Sequence, residues 1–111
     1  MQKNLKDIPT EKTHHDTVFR KRLITTAENK GKLATYNYAW IEKGKQLEIH
    51  SHPDGEEFYL FLEGKGEMLV GDQWVTVGKD DFITVPKGNN HSVKNNNDQN
   101  LVFLTIRTVE N

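Results

Sequence analysis

Apolar and aromatic residues fall along this chain in short runs, broken by Gly, Pro, Asn and Asp at intervals of roughly ten residues, and no run keeps a helical period. The pattern predicts strands over 17–26, 34–42, 46–52, 57–62, 67–70, 73–77, 82–85, 91–94 and 101–108. Between them Asn29-Lys30-Gly31, Lys43-Gly44, Pro53-Asp54-Gly55, Gly64-Lys65-Gly66, Gly71-Asp72, Gly78-Lys79-Asp80 and Pro86-Lys87-Gly88 supply residues that favour reversals or tolerate positive φ. Short strands with tight reversals predict an all-β sandwich or barrel. Two strands are apolar on both faces: Phe58, Leu60 and Leu62 alternate with Tyr59 and Phe61, and Leu101 and Phe103 alternate with Val102, Leu104 and Ile106. Neither leaves a face for water, which predicts sheet-on-sheet packing on one side and a subunit contact, in a homodimer, on the other.

Length narrows the picture. At 111 residues the chain has room for one domain, expected over 17–111 behind an N-terminal arm at 1–16. Charged residues make up 28%, but ten aromatics are too many for a disordered chain. The net charge is -1 and Arg20-Lys21-Arg22 is the one dense basic cluster, read as a solvated strand edge, so a nucleic-acid surface is not expected. No apolar run approaches a membrane span, and a cytoplasmic protein is expected. The polar tract at 95–100, NNNDQN, reads as a mobile hairpin loop.

The chain has no cysteine, so any metal must be held by histidine and carboxylate. His50 and His52 stand two apart, on one face if their segment is a strand. Pro53-Asp54-Gly55 then turns the chain, and the returning run opens with Glu56-Glu57. A second turn, from Pro86 to Asn90, delivers His91. Two or three imidazoles with one carboxylate suit a divalent transition ion, Fe, Mn, Ni, Cu or Zn, with coordination positions left open. His14 and His15 have no partner pattern and read as arm or loop residues.

These residues resemble the cupin superfamily. Its first motif, G-x5-H-x-H-x(3 or 4)-E-x6-G, is matched by Gly44, His50, His52, Glu57 and Gly64, and its second, G-x5-P-x-G-x2-H-x3-N, by Pro86, Gly88, His91 and Asn95. The resemblance spans residues 44–95. It implies a jelly-roll β-barrel, a double-stranded β-helix, with one metal ion bound by His50, His52, Glu57 and His91 near one mouth. Glu56 also satisfies the shorter spacing, but only Glu57 leaves six residues before Gly64. The glycine that opens the second motif is replaced by Asp80.

The resemblance implies a metal-dependent enzyme of dioxygenase, isomerase or lyase type acting on a small organic substrate, with a non-enzymatic binding or sensing module as the alternative. Glu57 is a candidate ligand or general base, and Tyr59, on its face by alternation, a candidate catalytic donor. Tyr36, Tyr38 and Trp40 share one strand face whose direction is open. Arg107 is a candidate clamp for a substrate carboxylate.

Overall fold

A computed structural model describes residues 1–13 and 16–109. After one 3-10 turn, Leu5–Asp7, it contains nine strands: β1 (Glu11–Lys12), β2 (Val18–Arg22), β3 (Leu33–Ile41), β4 (Glu57–Glu63), β5 (Lys65–Val70), β6 (Gln73–Gly78), β7 (Phe82–Val85), β8 (His91–Lys94) and β9 (Leu101–Thr108). They pair antiparallel into a six-stranded sheet, β1-β2-β3-β9-β4-β7, and a three-stranded sheet, β6-β5-β8. The expected closed barrel is not formed. The two sheets remain separate and pack face to face as a jelly-roll sandwich, because residues 46–52 reach β8 through isolated bridges and not through a continuous ladder.

Alternation sorts the side chains of the larger sheet. Ile41, Ala39, Asn37 and Thr35 of β3 stand level with Leu101, Phe103, Thr105 and Arg107 of β9, and Phe61, Tyr59 and Glu57 of β4 continue the rows. This face turns toward Met68, Val77 and Val93 of the smaller sheet, and together they form the buried core. The opposite face carries Tyr36, Tyr38, Trp40, Phe58, Leu60, Leu104 and Ile106, all half-buried.

Two connections fix how the sheets meet. Gly64 joins β4 to β5 at φ 86, and a Cβ there would come within 2.5 Å of the Asn100 carbonyl oxygen, so both conformation and space require glycine. Asp80, in the missing glycine's place, adopts φ 74, and its N–H donates to the Phe61 carbonyl at 2.7 Å. The turn forms with an aspartate in the left-handed region that Asp tolerates better than most residues.

The strand expected over 17–26 stops at Arg22, because a compact turn follows in which Asn29 donates to the carbonyls of Thr25 and Leu33 and accepts from the Leu33 N–H. The 95–100 tract, expected to be mobile, is anchored. Buried Asn95 donates to the carbonyls of Ile41 and Gln99, and Asn97 donates to that of Lys65.

Candidate metal centre

The histidine pair is aimed by a local irregularity. Opposite β8, Gln46 pairs with Lys94 and His50 with His91, so four steps along one chain match three along the other. One extra residue is accommodated as in a β-bulge, which re-aims side chains. Simple alternation from buried Leu47 would send Ile49 inward, yet Ile49 is 57% exposed and His50 turns inward instead. The regular strand expected over 46–52 is absent for this reason. His52 is tied to the second motif, its carbonyl accepting from the Gly88 N–H at 2.9 Å.

Four side chains converge: one ligand-type atom from each of His50, His52, Glu57 and His91 lies within 4.8 Å of the others. Glu57 opens β4 facing inward, whereas Glu56, one residue earlier, is exposed. His91 opens β8 and is fully buried. Its Nε2 lies 3.0 Å from Glu57 Oε1 and its Nδ1 3.3 Å from the Asn89 carbonyl. His50 Nδ1 lies 2.8 Å from the Glu48 carbonyl; because a carbonyl only accepts, Nδ1 carries a proton. His52 Nε2 is 3.6 Å from Glu57 Oε1.

Burial pushes the Glu57 carboxyl up, but the hydrogen bonding and charge of His52 and His91 outweigh it and hold the group at about 2. Tyr59 donates to the same carboxylate oxygen at 3.1 Å. Burial, then the neighbouring carboxylate, pushes the Tyr59 phenol well above its ordinary value, so it keeps its proton at neutral pH.

Beside this group lies a cavity of about 100 Å³, walled by the inner face of the larger sheet. Arg107 lines it, as does Tyr59, while Tyr36, Tyr38 and Trp40 face away. The basic cluster is not one surface, nor is it on the edge strand. Arg20 points into the cavity, and Lys21, on the opposite face, donates to the Leu5 carbonyl at 2.7 Å. Sequence reasoning missed Arg20, Thr35, Asn37 and Thr105 as cavity residues. The signal was the period-two match of Arg20 with the apolar Val18, hidden by the reading of the three basic residues as one patch. His14 and His15 lie outside the described residues.

An all-β jelly roll with three imidazoles and a carboxylate gathered at one end of its interior defines a protein with a candidate metal centre. The chain belongs to the cupin domain family, which it matches over residues 38–107. Over 57 residues it is 33% identical to an uncharacterized protein of Methanocaldococcus jannaschii; the match covers 51% of this chain and 46% of that relative, less than half its length. Among solved structures, a protein described as a predicted oxalate decarboxylase of Thermotoga maritima superposes with a TM-score of 0.92 at 20% identity, covering 98% of this chain and 99% of that one. The polyketide cyclase RemF of Streptomyces resistomycificus gives 0.85 at 20% identity, covering 99% and 81%. The Cnp3 cupin domain of Schizosaccharomyces pombe gives 0.82 at 16% identity, covering 96% and 72%. These likenesses show the shared fold.

Proposed function

We propose that this chain is a metal-dependent enzyme acting on a small organic substrate, with one divalent transition ion, Fe, Mn, Ni, Cu or Zn, held by His50, His52, Glu57 and His91. The observation that carries this reading is the surroundings of His91. Both ring nitrogens of this buried imidazole face oxygen acceptors, a carbonyl and a carboxylate, but a neutral imidazole has one N–H. A further cation, a proton or a metal ion, is needed at that contact. With two more imidazoles within 4.8 Å, the donor set fits a borderline metal ion.

When bound, such an ion supplies Lewis-acid polarisation of an oxygen on the substrate, and an iron, nickel or copper ion also supplies oxygen chemistry. Glu57, whose carboxyl its imidazole neighbours hold below the usual carboxylate range, would contribute a carboxylate ligand at neutral pH. Tyr59 keeps its proton, fixes Glu57 by donating to it, and serves as the donor of the catalytic pair. The cavity bounds the substrate to a small molecule. A non-enzymatic binding module is the second reading, favoured by the fact that Glu57 is the sole carboxylate among the cavity's described lining residues.

Cobalt(II) titration of the metal-free protein tests the site. A visible ligand-field band saturating at about one ion per chain, lost in His91→Ala, is expected; no band in the parent protein would leave a proton as the cation at His91 and remove the metal reading. Incubating the loaded protein with small organic acids and following them by NMR separates the two readings. Conversion supports the enzyme, and binding without conversion the module.

The same reading takes the protein as a cytoplasmic homodimer. The support for the dimer is the outer face of the larger sheet, where Phe58 stacks on Phe82 with ring centroids 6.0 Å apart and Phe82 is 60% exposed. Phe82→Glu should shift the sedimentation coefficient from dimer to monomer, and a monomeric parent protein would contradict the assignment.

A further inference from the structure

Next to the metal group the cavity carries polar groups that the metal reading does not use. Arg20 enters from β2, and Thr35 and Asn37 enter from β3. Among the described residues, Arg20 Nε and Thr35 Oγ1 are both buried without a hydrogen-bond partner. Two such atoms on neighbouring side chains of this wall are unusual, since buried donors and acceptors are nearly always paired.

The ion pairing around Arg20 is incomplete as well. Its Nε lies 3.6 Å from Glu11 Oε1, and the same oxygen accepts from Arg22 Nε at 2.8 Å. One carboxylate therefore serves two guanidinium groups, which leaves an excess of positive charge at this wall. A further cation, Arg107, lines the cavity and, among the described residues, pairs with the exposed carboxylate of Asp54 at 3.4 Å. Glu57 is already engaged by Tyr59 and His91.

We propose that this wall is a carboxylate-binding subsite, in which Arg20, helped by the Thr35 hydroxyl and the Asn37 amide, takes the acid group of a small organic acid whose other end faces the metal group. The proposal rests on the metal-dependent reading above and names its substrate class. A planar guanidinium matches the two oxygens of a carboxylate, and a hydroxyl and an amide beside it complete the acceptor's needs. A cavity of about 100 Å³ takes an acid of a few carbons. Glu11 is then a competitor that holds Arg20 in place when no acid is bound.

The test is calorimetric titration of the zinc-loaded protein with acetate, pyruvate, malonate, succinate and glutarate, each against its neutral amide, with inorganic phosphate as a further probe. Zinc content is measured in every sample. At least one acid should bind, its amide about tenfold or more weaker. Arg20→Gln should weaken the acid by a similar factor, Arg20→Lys and Thr35→Val by less, and Glu11→Gln should strengthen it, all with zinc content unchanged. Binding of no acid by the parent protein, equal binding of acid and amide, phosphate preferred over every acid, or an Arg20→Gln variant that binds as before would each overturn the subsite. Should the protein take up no zinc yet bind an acid through Arg20, the metal reading fails and the subsite stands; zinc uptake with Arg20-independent binding gives the reverse.

Discussion

The two ends of the sandwich interior are built by the same strands from different residues. At one end Ile41, Phe61, Leu101 and Phe103 are almost wholly buried and contact one another as rings and branched chains, with Phe61 and Phe103 5.5 Å apart. Two to six residues along the same strands and on the same faces stand Thr35, Asn37, Glu57, Thr105 and Arg107, around a cavity. Tyr59 marks the border: its ring packs 5.4 Å from Phe103 while its hydroxyl reaches Glu57. Strand alternation decides which face is inside, and the order of residue types along that face decides which end is solid and which is reactive. Stability and chemistry are thereby separated along the strand axis by a few residues.

That separation can be broken from either side. The largest effect on stability is expected at the solid end. Phe61→Ala removes a fully buried ring and should cost about 3–5 kcal/mol in urea unfolding while the folded fraction keeps its metal content. Loss of metal in step with the folded protein's stability would show that the two ends are coupled. At the reactive end, Glu57→Gln should weaken metal affinity by about tenfold or more, whereas exposed Glu56→Gln should leave it within about twofold. The opposite ranking would move the carboxylate by one residue. The smallest effect is expected at Asp80, whose backbone closes the solid end against Phe61. Asp80→Gly should relieve the left-handed conformation and gain about 0.5 kcal/mol, read as a higher urea midpoint; a loss would mean that the aspartate is favoured there over glycine.

Much of this was legible in the sequence. Seven of the nine expected strands recur within a few residues of their predicted limits, since β-branched and aromatic runs between turn residues leave few other choices. The resemblance to the cupin motifs singles out His50, His52, Glu57 and His91, and they are the four that converge. What stayed hidden depends on partners distant in the chain. The register slip that turns His50 inward exists only relative to β8. The two-residue β1, Glu11–Lys12, exists only because β2 offers Phe19 and Arg20 an edge to pair with. The inward aim of Arg20 follows from its row with Ala39, which the period-two match with Val18 hints at and the basic neighbours Lys21 and Arg22 mask. The face chosen by Tyr36, Tyr38 and Trp40 was fixed by Asn37, Ala39 and Ile41 taking the inside, and a polar Asn37 gave no hydrophobic signal for that choice.

The most direct test of the central claim is elemental analysis of the protein purified without affinity tag or chelator, set against protein concentration and repeated for His91→Ala. About one equivalent of a divalent transition ion per chain in the parent protein, and little in the variant, is the predicted result. No metal in the parent protein, with none taken up on reconstitution, or equal metal in both, would contradict a metal centre at His50, His52, Glu57 and His91.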